Sequence, residues 1–136
     1  MSFADLHLHT VFSDSTYTPE EVIRESRKAG LSAIAIVDHD TVAGIEPSIK
    51  IAGPENIEII PGIELSAEYE GVEIHILGYL IDHKDNNLNI NLESLKKNRI
   101  ERIYKIADKL KEIGVPLKAE EVFAVSHEGT VGRLHV

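Results

Sequence analysis

Alternation of apolar and polar residues over Ala4–Thr10 (ADLHLHT) predicts a first strand. Thr18-Pro19-Glu20-Glu21 then announces a helix: Thr18 can cap, Pro19 suits the first helical position, and Glu21 completes a capping box. That helix is expected to reach Ala29, with Gly30 as its left-handed terminator. Ser32–Val37 is a continuous apolar run, the pattern of a strand covered on both faces. A shorter helix is predicted from Pro47 to Gly53-Pro54, and a third strand over Ile57–Ile60. Glu64–Tyr69 and Val72–Ile81 flank Glu70-Gly71 and read as a hairpin. Asp82–Asn91 is polar and Asn-rich, hence a loop. From Leu92 to Ile113 apolar residues recur at helical spacing up to Gly114, and a short helix is expected over Ala119–Val125.

Strands alternating with helices over the first sixty residues are the pattern of a parallel sheet or barrel. Three parallel strands and a hairpin are too few for a barrel of about eight strands. The chain is therefore expected to be the first part of a longer protein. Residues 1–87 form an α/β unit and residues 88–136 a helical segment.

Composition narrows the chemistry. The 136 residues hold 14 Lys and Arg against 23 Asp and Glu, a formal net charge of −9 that argues against a chain coating DNA or an anionic membrane. With no cysteine, disulfides and thiolate ligands are excluded, so any metal must be held by nitrogen and oxygen. No signal peptide or run long enough to span a membrane is visible, and a cytoplasmic protein is expected. Seven histidines are the anomaly.

His7 and His9 stand two apart in a strand and emerge on one face; alone, they could equally be surface histidines of an edge strand. Asp14 follows in a Ser-rich loop, His39 stands between Asp38 and Asp40 after the second strand, and Glu64 follows the third. His75 lies between Ile74 and Ile76, where an imidazole needs a partner. In parallel α/β folds, sites gather at the carboxyl ends of strands, and these six groups all stand at or near strand ends.

Five segments, HLHT at 7–10, SDS at 13–15, VDHDT at 37–41, PGIELS at 61–66 and EIHILGY at 73–79, resemble the polymerase and histidinol phosphatase (PHP) superfamily of metal-dependent phosphoesterases. The resemblance implies the N-terminal part of a distorted seven-stranded (β/α) barrel, followed by a helical insertion. It implies divalent metal ions, up to three, as Zn, Mn or Fe. His7, His9 and Glu64 would hold one, Glu64 would bridge to a second also bound by His75, and Asp14 and His39 would hold the third. No catalytic side chain is implied beyond a metal-activated water, which attacks phosphorus in line with the leaving group. Ser15 and Val37 replace a common Gly and Thr without touching a ligand. The family completes its site with a His and an Asp-x-His pair beyond position 136, so this chain is expected to bind metal weakly and to turn over little alone.

Asp38 and Asp40 flank a ligand, and one is expected to orient an imidazole; a helix-capping role is the alternative for Asp40. The helical segment resembles the insertion of a PHP subgroup acting on nucleotides or short oligonucleotides. Thr130–Val136 resembles its Gly-Arg-x-His run, with Leu134 where Pro is usual. That makes Arg133 and His135 candidate ligands of a substrate phosphate, or else ordinary exposed residues. Lys96, Lys97, Arg99, Arg102, Lys105, Lys109 and Lys111 read as a solvated helix face. His83 and His127 receive no role. A non-catalytic metal-binding scaffold, like the PHP regions of replicative DNA polymerases, is the alternative reading. An exposed half-barrel is further expected to associate with a second copy.

Overall fold

The first strand, β1 (Phe3–Leu8), lies at one edge of a four-stranded sheet in which spatial order follows chain order. The structure is a computed structural model that describes residues 2–126, 129–132 and 135–136. After β1 come α1 (Pro19–Lys28), β2 (Leu31–Ile36), α2 (Ile45–Glu55), β3 (Glu58–Tyr69) and β4 (Val72–Tyr79). Then follow α3 (Asn86–Glu112) and α4 (Ala119–Val125). β1, β2 and β3 run parallel, and β4 returns antiparallel to β3. The result is a mixed α/β half-barrel sheet, the α/β class expected from the alternating pattern.

The N-terminus of α1 is built as the sequence requires. Thr18 Oγ1 accepts from Glu21 N–H at 3.3 Å, and Glu21 Oε2 accepts from Thr18 N–H at 2.9 Å. Val22 and Ile23 of α1, Ile34 and Ile36 of β2, and Ile45 and Ala52 of α2 form one core cluster with Ile57. Ala35 and Val37 are equally buried on the opposite face of the sheet. β2 is thus covered on both sides at its carboxyl end.

The structure corrects three boundaries. The third strand and the first hairpin arm are a single strand, β3, that changes partners midway. Through Pro61 it pairs with β2, and from Gly62 it pairs with β4. A Cβ at Gly62 would stand 2.7 Å from Val37 Cγ1 and 2.9 Å from the Gly78 carbonyl, so the crossing needs glycine. α2 begins at Ile45, before Pro47, and runs through Pro54. The polar stretch predicted as a loop contains the start of α3: Asp85 caps it by accepting from Leu88 N–H at 2.7 Å, which outweighs the poor helix propensity of the asparagines.

A second apolar cluster joins Ile103 and Ala107 of α3 to Ala119 and Val122 of α4 and to Val131. Thr130 N–H donates to the Phe12 carbonyl at 2.8 Å, so residues 129–132 lie across the loop after β1. On the outer strands Phe3, Leu6, Val72, Ile74 and Ile76 are exposed. The apolar run around His75 is therefore not a buried one. Among the described residues no helix is long and apolar enough to cross a membrane.

Candidate metal centre

The carboxyl ends of β1 and β2 converge on Glu64, which lies within β3. β1 carries His7 and delivers His9 just past its end; the turn that follows carries Asp14. His39 stands just after β2, where its backbone bridges to Glu64: Asp40 N–H donates to the Glu64 carbonyl at 3.0 Å, and Glu64 N–H to the Asp38 carbonyl at 3.3 Å. Asp40 takes a left-handed conformation (φ 52°), which turns the chain away after His39. Opposite Ser66 on β4 lies His75, placing it diagonally across the hairpin from Glu64.

The side chains meet closely. Glu64 Oε2 lies 2.9 Å from His7 Nε2 and 3.1 Å from His9 Nε2, while Oε1 lies 2.9 Å from His75 Nδ1. Asp14 lies 3.4 Å from His9 Nδ1 and 3.3 Å from His39 Nε2. The rings of His7, His9, His39 and His75 follow one another at centroid separations of 5.1, 4.8 and 4.8 Å. Three overlapping groups could each hold an ion: His7, His9 and Glu64; His9, Asp14 and His39; and His39, Glu64 and His75. All six predicted residues are brought together.

Their electrostatics are those of a crowded donor set. The hydrogen bond from His39 holds Asp14 down at about 2, and the same contact raises His39 above the ordinary imidazole value. Burial pushes His9 down, against the pull of Asp14. Burial also works against the charge of Glu64, but bonds from His7 and His75 and the nearby His39 hold its carboxyl below the usual range. Among the described residues, His39 Nδ1 is buried without a hydrogen-bond partner. An orphaned imidazole nitrogen 3.8 Å from Glu64 Oε2, in a set of nitrogen and carboxylate donors, fits a divalent cation.

Among the described residues neither flanking aspartate is hydrogen-bonded to an imidazole. Buried Asp38 accepts from Thr10 N–H at 2.7 Å, from the Thr10 hydroxyl at 2.6 Å and from the Ser13 hydroxyl at 2.6 Å. Asp40 accepts from Ser66 N–H at 2.8 Å and from Arg99 Nε at 2.6 Å. Nor does Asp40 cap α2, whose N-cap is Gly44.

Beside the six residues opens a cleft of about 340 Å³ that the sequence did not announce. Asp14, His39 and His75 form one wall; Arg99, Arg102 and Thr130–Gly132 form the other. Arg99 therefore departs from the solvated face, whereas Arg102 stays partly exposed while lining the cleft. Arg99 continues the apolar stripe, one turn from Leu95 and from Ile103, and that placement was the available signal. Arg102 Nη2 pairs with Glu73 Oε2 at 3.0 Å, and Glu73 in turn stands 3.6 Å from His75 Nε2. His135 is not among the residues lining this cleft. Its Nδ1 accepts from Gly132 N–H at 3.0 Å, which commits that nitrogen to the backbone. Arg133, paired with it in the sequence reading, lies outside the described residues, as does His127.

The model of the PHP domain family matches residues 5–125. A 5'-3' exoribonuclease of Haemophilus influenzae is 36% identical over 131 residues, 96% of this chain and 47% of that protein. A 3',5'-nucleoside bisphosphate phosphatase of Chromobacterium violaceum is 30% identical over 115 residues, 85% of this chain and 40% of that one. A proposed metal-dependent phosphoesterase of Bifidobacterium adolescentis superposes with a TM-score of 0.88 at 30% identity, covering 97% of this chain and 47% of its own. The chain spans less than half the length of these proteins.

Proposed function

This chain belongs to the PHP domain family, and from that membership we propose that it carries much of the active site of a metal-dependent phosphoric ester hydrolase acting on nucleotides or short oligonucleotides. One observation carries the reading: Glu64 is ringed by His7, His9 and His75, with Asp14 and His39 adjoining, at the mouth of a cleft walled by two arginines. The relatives' names support phosphate esters of nucleosides and RNA as the substrate class. Residues 1–87 are read as the first half of the barrel and 88–136 as a helical insertion, in a cytoplasmic protein.

His7, His9 and Glu64 would hold one cation, Glu64 and His75 a second, and Asp14 with His39 a third. Bound there, Zn, Mn or Fe supplies Lewis-acid charge to a phosphoryl group and lowers the pKa of water toward neutrality. The chain itself provides the rest. Glu64 holds its negative charge at neutral pH, because the imidazoles around it keep its pKa low. Arg102, partly exposed in the cleft, offers a planar fork of donors suited to phosphate oxygens, and Glu73 holds that fork until an anion arrives. Arg99 braces the wall that Arg102 stands on.

Calorimetric titration of Zn or Mn into the chain tests the metal reading, with Glu64→Gln alongside. Saturable binding that weakens at least tenfold in Glu64→Gln is expected, since that carboxylate is shared by two ion positions. Equal binding by both proteins would overturn the reading. Phosphate release from a nucleoside 3',5'-bisphosphate, measured with added Mn, tests the substrate class.

A further inference from the structure

Asp38 is fully buried yet belongs to no ion pair among the described residues. Three short hydrogen bonds tie it to the loop between His9 and Asp14. Thr10 and Ser13, its partners, are themselves buried at 0% and 1% exposure. Space for the carboxylate is kept by Gly44, where a Cβ would stand 2.4 Å from Asp38 Oδ2 and 2.9 Å from Thr10 Oγ1. A buried carboxylate whose room depends on a glycine is a costly feature for a loop brace alone.

The hydroxyl of Ser13 connects it to the centre. It has one proton to give, and Asp38 Oδ1 at 2.6 Å takes it in preference to Asp14 Oδ1 at 3.4 Å. The oxygen's lone pairs then face His9 Nδ1 at 3.3 Å. Asp14 Oδ1, also an acceptor, stands 3.4 Å from the same nitrogen. Nε2 faces Glu64 Oε2, an oxygen already 2.9 Å from His7 Nε2. Both ring nitrogens thus meet acceptors, and on the Nδ1 side the Ser13 oxygen is the one that Asp38 holds in place.

We propose that Asp38 is a positioning residue that acts through Ser13, fixing the ring of His9 so that its Nε2 edge stays turned toward Glu64. This rests on the reading of His9 as a metal ligand. The link from Asp38 runs from carboxylate to hydroxyl to imidazole, in place of the direct contact between a flanking aspartate and an imidazole that the sequence led one to expect. The same three hydrogen bonds set where His9 and Asp14 stand, one at each end of the braced loop.

The test uses ¹⁵N spectra of the histidine rings in the metal-free chain, for wild type, Ser13→Ala and Ser13→Thr. The His9 ring resonances are expected to move in Ser13→Ala and to return in Ser13→Thr. Zn affinity, measured by calorimetry, is expected to fall about tenfold in Ser13→Ala and in Asp38→Asn, and no further in the double variant. A His9 ring unaltered by Ser13→Ala, or losses in affinity that add in the double variant, would overturn the proposal. A loop brace alone would lower the melting temperature and leave Zn affinity in place. Should wild type bind no Zn, the metal reading fails while the spectra still report the contact of His9 with Ser13. Should Asp38→Asn not fold, the Ser13→Ala spectrum and affinity decide.

Discussion

Arg99 and Asp40, 59 residues apart in sequence, form a buried ion pair in which Nε at 2.6 Å and Nη2 at 2.5 Å both reach Asp40 Oδ2. The remaining donors of the guanidinium reach Ser66 Oγ at 2.7 Å and the Val131 carbonyl at 3.2 Å. One side chain of α3 therefore ties together the loop after β2, the strand carrying Glu64, and the segment that walls the cleft.

Removing this tie should be costly. Arg99→Ala leaves Asp40, 2% exposed, as an unpaired buried charge, with an expected loss of about 3 kcal/mol. Arg99→Lys should recover little, because an ammonium cannot serve three acceptors spread in a plane. Urea denaturation measures the loss, and hydrogen exchange should show α3 and residues 129–132 opening while β2 stays protected. Unchanged exchange in α3 would contradict the role assigned to Arg99.

Gly44→Ala should destabilise by about 1–3 kcal/mol through overpacking. The new methyl would press on Asp38 and Thr10, both held by short hydrogen bonds. The fall in the urea midpoint should be accompanied by weaker Zn binding. A variant as stable as wild type would show that the loop gives way freely there.

The contact between His39 and Asp14 predicts a pH dependence with a definite sign. His39 has a folded value above 6.5, so its contribution to stability is complete below pH 6.5 and is lost as pH rises through the folded value. Asp14 is held at about 2, so its contribution is present above pH 3.8 and is lost as pH falls toward 2. In EDTA, the difference in melting temperature between wild type and Asp14→Asn should be largest near pH 5 and shrink by pH 8.5. A difference independent of pH would sink this assignment. Since a cation must displace the proton that His39 holds, Zn affinity should also drop from pH 7.5 to 5.5.

Arg102→Ala should weaken the binding of a nucleoside 3',5'-bisphosphate by about 10- to 100-fold, the worth of a charged hydrogen-bond pair. Zn affinity should change little, because Arg102 reaches the centre only by way of Glu73. Calorimetry with each ligand separates the two effects. Equal nucleotide binding by wild type and variant would remove Arg102 from substrate recognition.

Much of this molecule was legible in the order of its residues, because the signals were local. The capping box at Thr18 and Glu21 depends on neighbours three positions apart, and the burial of β2 on both faces follows from an uninterrupted apolar run. The six centre residues could be named because their short motifs resemble those of a known family; β1 and β2 send their carboxyl ends to one side with His7, His9, Asp14 and His39, whereas Glu64 and His75 lie within β3 and β4. What the sequence could not determine depended on distant partners. β3 is one strand and not two, since Gly62 lets it pass close to Val37 and exchange β2 for β4. Arg99 and Arg102 look like neighbours in a basic stretch, and their roles were decided by Asp40 and Glu73, which only folding brings alongside. Asp38 stands next to His39 in the chain yet bonds to Thr10 and Ser13, because consecutive residues at a strand end point to opposite sides. Local chemistry therefore set the elements and the donor types, whereas tertiary packing alone chose each side chain's partner.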